Sequence, residues 1–173
     1  MNIMIDLVLS PAGKGVSNAI SKLCDLHSKN TIILDREGIS YTLMSNHNST
    51  CDIFTHYSFD IDDLLSIIEK INLSDRYTEC ILFKISYMDL LLKFDNRLLC
   101  KLKESEKKWV IFAQTPKDGG FLTYHPVEYG YLHERIVLSF FENIMDWDED
   151  KLQHRKLYTL KKEVEKYESI FKS

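Results

Sequence analysis

With 173 residues, 45% of them hydrophobic and 28% charged, the chain has the balance of a globular protein built around one core, which excludes disordered and fibrous classes. Its net charge of −4 is unevenly spread: residues 151–173 carry seven Lys/Arg against three Asp/Glu, a balance of +4, which leaves residues 1–150 at −8. An acidic body repels phosphate backbones and draws in a basic protein, so the expected partner is protein and not nucleic acid.

Residues 3–9 form an apolar, β-prone run that stops at Ser10-Pro11-Ala12-Gly13-Lys14-Gly15, where proline and two glycines break regular structure. Ala19, Ile20, Leu23 and Cys24 then recur at helical spacing, which predicts a helix from Ser17 to near Asn30 with Ser17 or Asn18 as its N-cap. Residues 31–34 and 39–44 are β-prone and flank Asp35-Arg36-Glu37-Gly38, the pattern of a hairpin. A third strand over residues 51–57 extends this as a meander.

From Asp60, the residues Ile61, Leu64, Leu65, Ile68 and Ile71 make one apolar face, with Asp62 and Asp63 in the first turn, where the helix dipole favours negative charge. Residues 80–85 read as a buried strand, and residues 88–106 as a helix that Asp95-Asn96 can split. Residues 109–114 and 121–124 flank a Pro/Gly-rich segment and predict a second hairpin. Residues 131–145 predict a buried helix, and after it comes an acidic break in which Asp148 or Asp150 caps a last helix. Leu157, Leu160, Val164, Tyr167 and Phe171 step by three and four, the seam of a helix docked on a neighbouring surface.

This element order predicts a single domain over 1–173 of the α+β class: a mixed or mainly antiparallel sheet with helices on one face and two C-terminal helices. A three-layer α/β arrangement is the alternative. No run reaches the roughly 20 apolar residues of a membrane helix, and the N-terminus lacks the basic start and cleavage site of a secretory signal, so a cytoplasmic location is expected. Cys24, Cys51, Cys80 and Cys100 lack any CxxC pairing and read as reduced core thiols.

The loop from Ser10 to Ser17 is the most suggestive segment, because Gly13, Lys14, Gly15 and Ser17 between a strand and a helix can offer backbone N–H groups to a phosphate. It departs from the GxxxxGK[ST] spacing, since Gly13 directly precedes Lys14 and Gly15 stands where Ser/Thr belongs. His27, His47, His56, His125, His133 and His154 show no metal-ligand spacing, so no metal or cofactor is expected. Cys51 near His47 and His56 is the one local thiol–imidazole pairing, in flanks too apolar for a thiolate. Asp60-Asp62-Asp63 is explained as a helix start. Asp146, Trp147, Asp148, Glu149 and Asp150 read either as a solvated acidic turn or as a ridge with one aromatic suited to a basic partner, and they lack the glycine and terminal Glu of an EF-hand metal loop.

With no catalytic signature, the leading expectation is a non-enzymatic protein whose acidic surface covers a basic partner, in its most concrete form a bacterial immunity or antitoxin-type inhibitor of a toxic nuclease domain. The alternatives are a small nucleotide- or phosphate-binding enzyme using the loop from Ser10 to Ser17, and a structural subunit docking through the C-terminal seam. The sequence leaves the oligomeric state open.

Overall fold

The computed structural model describes residues 5–11, 15–36, 49–56, 60–93, 96–115, 137–148 and 151–154, and all structural statements concern these. The elements in chain order are β1 (Ile5–Pro11), α1 (Val16–Leu23), β2 (Thr31–Asp35), β3 (Asp52–Thr55), α2 (Ile61–Leu73), β4 (Glu79–Ser86), α3 (Tyr87–Lys93), α4 (Asn96–Glu104), β5 (Lys108–Thr115), β6 (Asn143–Asp148) and β7 (Lys151–His154). The strands form one sheet in the order β3-β2-β4-β5-β1-β6-β7. Every neighbouring pair is parallel except β6 with β7.

Alternation along each strand feeds two separate cores. Ile5, Leu7 and Leu9 of β1 join Trp109, Ile111 and Ala113 of β5 on the first face, under Leu64, Ile68 and Ile71 of α2 and Leu98, Leu99 and Leu102 of α4. Val8, Ile33, Ile81, Phe112 and Trp147 point the other way and pack on Ala19 and Ile20 of α1. Helices therefore cover both faces, and the architecture is a three-layer, mostly parallel α/β fold. The α+β expectation of helices on a single face is corrected accordingly.

Both expected hairpins are also corrected. β2 is paired along its length by parallel β3 and β4, and β5 by parallel β1 and β4, so neither keeps an edge for an antiparallel return strand. Their intended partners, residues 39–44 and 121–124, lie outside the described residues. Parallel neighbours need long crossovers, and the stretches after β2 and β5 are long enough to supply them.

The expected helix over residues 131–145 is replaced at its end by β6, whose Ile144 and Met145 lie in opposite cores. Residues 151–154 form the antiparallel edge strand β7 instead of a helix capped by Asp148 or Asp150. The C-terminal seam from Leu157 to Phe171 lies outside the described residues. α1 ends at Leu23 rather than near Asn30. The helix expected over residues 88–106 is divided into α3 and α4, while α2 matches its expected start, with the Asp60 carboxylate accepting from the Asp62 N–H at 2.9 Å.

Tertiary polar bonds tie the layers together. The indole N–H of Trp109 donates to Asn72 Oδ1 at 3.1 Å, and Asn72 Nδ2 donates to the Lys101 carbonyl at 3.2 Å, joining β5, α2 and α4. Lys107 Nζ donates to the Tyr77 carbonyl at 2.6 Å and also to that of Ser74, the residue that ends α2, where a cation suits the negative end of the helix.

Candidate functional site

β1 occupies the middle of the sheet, between β5 and β6. Its carboxyl end feeds α1 on the second face, whereas the chain that leaves β5 reaches β6 through Val137, Leu138 and Phe141 on the first face. Where adjacent parallel strands send their connections to opposite faces, a crevice opens beyond their carboxyl ends, and in α/β sheets this is where ligands bind.

The second-face side of this edge is polar. Parallel register sets Ser10 of β1 beside Gln114 of β5, and Gln114 beside Ser86 of β4. Ser10 is 2% exposed, and its Oγ has a contact to the Pro11 carbonyl at 3.3 Å, long for a hydroxyl donor. Gln114 is half-buried, and Ser86 Oγ accepts from the Asp89 N–H at 3.0 Å at the start of α3.

The helix that leaves this edge starts in an unusual way. Gly15, the N-cap of α1, has φ 69° and ψ 44°, the left-handed region that favours glycine. No side chain caps α1 and no acidic residue stands in its first turn, whereas α2 has both. Among the described residues, neither a side-chain cap nor an acidic first turn compensates the positive end of α1, which suits an anion. Ser17 is half-buried inside the first turn and is not the cap, contrary to the sequence expectation. Gly13 and Lys14 lie outside the described residues.

Among the described residues, further charged groups at the carboxyl edge lie at the end of β2 and the start of α3. Asp35, at the end of β2, is fully buried. Burial pulls the Arg36 guanidinium below its ordinary pKa, and the charge of the Asp89 carboxylate offsets part of that pull. Beyond β3, His56 donates its N–H to the Asp35 carbonyl at 2.9 Å and stacks on Phe54 with centroids 6.4 Å apart, and its Nδ1 is buried without a hydrogen-bond partner. Three strands separate this corner from β1.

Of the acidic ridge, only Asp146 and Trp147 have described side chains, and they take opposite faces of β6. Trp147 is 0% exposed in the second-face core, with the Lys22 ammonium 5.2 Å from its ring centre, so it offers no aromatic surface to a partner. Asp146 sits beside Leu9 and, between the second-face residues Met145 and Trp147, takes the first face. Asp148 closes β6 opposite Lys151, and Glu149 and Asp150 lie outside the described residues.

Among the described residues the thiols and imidazoles do not gather into a cluster either. Cys24, Cys51 and Cys80 are buried and Cys100 is exposed, so Cys100 is not the core thiol expected. Burial pushes the Cys51 thiol up, against a hydrogen bond with Ser49, and burial takes Cys80 up to about 12, both opposite to what a nucleophile needs. His27 is exposed, and His47, His125 and His133 lie outside the described residues. Among the described residues no three His, Cys, Asp or Glu side chains gather to hold a metal, and no helix is long and apolar enough to cross a membrane. Gln114 and Ser86 were missed by sequence reasoning, because only the strand order brings them to Ser10.

A central strand leading through a glycine turn into a helix, in a mostly parallel sheet covered on both faces, defines the α/β class of protein. Within that class, the chain is similar to the RadB recombinase: the crystal structure of that protein superposes with a TM-score of 0.53 at 12% sequence identity, covering 83% of this chain and 73% of the other. Similarity extends to 108 solved chains, so the fold is a well-populated one and not a chance pairing. No family model and no curated protein matches the chain. The likeness to a recombinase fold overturns the expectation of an immunity or antitoxin-type inhibitor of a nuclease, whose aromatic anchor, Trp147, is moreover inside the core.

Proposed function

We propose that the chain binds a phosphate-bearing small molecule of the nucleotide class at the loop from Ser10 to Ser17, in a fold shared with the RadB recombinase. The observation that carries this reading is the start of α1: a left-handed Gly15, an uncapped and acid-free first turn, and a position directly beyond the central strand at the point where connections diverge to opposite faces. Backbone N–H groups and the helix dipole supply the anion site. Lys14 adds a cation whose charge suits phosphate, and Ser10 and Gln114 supply neutral hydrogen-bonding groups on the same side of the sheet.

Thermal unfolding with and without ATP, ADP or inorganic phosphate tests the reading. A ligand at 100 times its Kd adds about 2.7 kcal/mol, which at this chain length raises the Tm by roughly 5–10 °C. Lys14→Ala should remove most of the rise while leaving the unliganded Tm in place. No rise with any of the three at millimolar concentration would overturn the proposal.

A further inference from the structure

We infer that β3 is the surface through which the chain pairs with a second copy of itself, strand edge to strand edge about a two-fold axis at Phe54. β3 stands at the end of the sheet order, and all four of its positions keep exposure to solvent, whereas neighbouring β2 is buried throughout. Phe54 is 45% exposed. A strand end-on to solvent offers a row of backbone donors and acceptors to another chain, and an open phenyl ring beside that row adds apolar contact.

Backbone direction selects the register. The His56 N–H donates inward to the Asp35 carbonyl at 2.9 Å, and successive strand residues turn their N–H and C=O groups to alternate sides, so those of Ile53 and Thr55 point outward. A second β3 running antiparallel sets Ile53 opposite Thr55 of the other copy, where the two residues exchange both backbone bonds, and symmetry repeats the exchange. Phe54 then meets its own copy at the close, non-hydrogen-bonded position, with Cα atoms about 4.5 Å apart.

The same register is self-complementary in charge. Asp52 and Phe54 lie beside Ile32 and Leu34 of β2, both in the first-face core, and His56 stacks on Phe54 with ring centres 6.4 Å apart. Pairing about Phe54 places Asp52 of each copy opposite His56 of the other, on one face of the joined sheet. Tyr77 and Arg76 hold the Asp52 carboxylate through Oδ2, at 2.8 and 2.7 Å, which fixes it in place with Oδ1 as the acceptor for the imidazole. Centring the pair on Ile53 instead would set Asp52 against Phe54 and lose both charge pairs.

Sedimentation velocity of the full chain at rising concentration should show a monomer–dimer equilibrium. Phe54→Lys, at an exposed position, and Thr55→Pro, which removes an outward N–H, should each be monomeric while keeping the wild-type circular dichroism spectrum, and His56→Asp should weaken the dimer several-fold by setting like charges opposite. Register is read in a Cys100→Ser background. Copper phenanthroline takes two electrons from a thiol pair, with loss of both protons, and should join Phe54→Cys into a disulfide dimer; Thr55→Cys, more than about 7 Å from its own copy, should not cross-link. A wild type that stays monomeric up to about millimolar concentration, a dimer that survives both Phe54→Lys and Thr55→Pro, or a cross-link at position 55 and not at 54 would overturn the inference.

Discussion

Gly15→Ala is the substitution whose sign is decided by one backbone angle. At φ 69° and ψ 44° the residue lies in the left-handed region, where a Cβ crowds the following carbonyl and costs about 1–2 kcal/mol. Space is not the obstacle: an added Cβ would meet Asn18 Nδ2 at 3.6 Å, an ordinary contact. The expected destabilisation is therefore backbone strain alone, about 1–2 kcal/mol, or a Tm lower by roughly 2–8 °C for a chain of this size. Gly15→Asn should lose less, because asparagine tolerates this conformation better than alanine does. Urea unfolding followed by circular dichroism measures both, with the midpoint falling and the slope m unchanged. Were φ negative, alanine would stabilise by about 0.4–1 kcal/mol through the unfolded chain. An alanine variant as stable as the wild type, or more stable, would thus refute the left-handed cap and with it the geometry of the proposed anion site.

Asp60→Ala should cost about 1 kcal/mol in the same assay, because its carboxylate caps α2, while Ser17→Ala should stay within about 0.5 kcal/mol, because Ser17 caps nothing. Under native conditions a maleimide should add once and quickly, at exposed Cys100, with the other three thiols reacting only on unfolding; a second fast adduct seen by mass spectrometry would contradict the buried positions. Burial, and then the 2.8 Å hydrogen bond to Asp52, raise the Tyr77 phenol above its ordinary value. A raised folded-state pKa gives stability that is fully present below the unfolded value of about 10 and is lost as pH climbs through the folded value. The wild type should therefore lose stability above about pH 10 more steeply than Tyr77→Phe, and parallel alkaline profiles would show that the shift is absent.

Some of the fold was plain in the residues. Asp60, Asp62, Asp63 and the stripe from Ile61 to Ile71 marked α2 because capping, dipole and periodicity are local effects that agree there. The hairpins failed for the opposite reason: a glycine or proline after a strand is equally compatible with a tight return and with the start of a crossover. A usable signal was nevertheless present. Thr31–Asp35 is buried at every position and Lys108–Thr115 at nearly all, and a strand apolar on both faces belongs in a parallel sheet between helical layers. The end of the expected helix over residues 131–145 became β6 because a short run such as Ile144-Met145 suits either period, and the open edge of β1 decided between them.

The site was legible by half. Strand, glycine loop and helix from Ser10 to Ser17 are contiguous in sequence, but Gln114 and Ser86 reach Ser10 through strand order, which no local pattern encodes. That origin makes the row robust, because backbone pairing of three parallel strands fixes it and not the side chains themselves. Gln114 is half-buried at the end of its strand, so a carboxylate there stays in contact with solvent and the chain should remain folded. Ser10 differs: at 2% exposure, Ser10→Asp would strip a charge of water at a cost of several kcal/mol with no cation beside it among the described residues. The two substitutions should therefore separate cleanly, Gln114→Glu keeping the wild-type Tm within a few degrees and Ser10→Asp lowering it by roughly 10 °C or more. Equal losses in both would mean that Gln114 is sealed into the core, and a neutral polar row facing a ligand crevice would no longer describe this edge of the sheet.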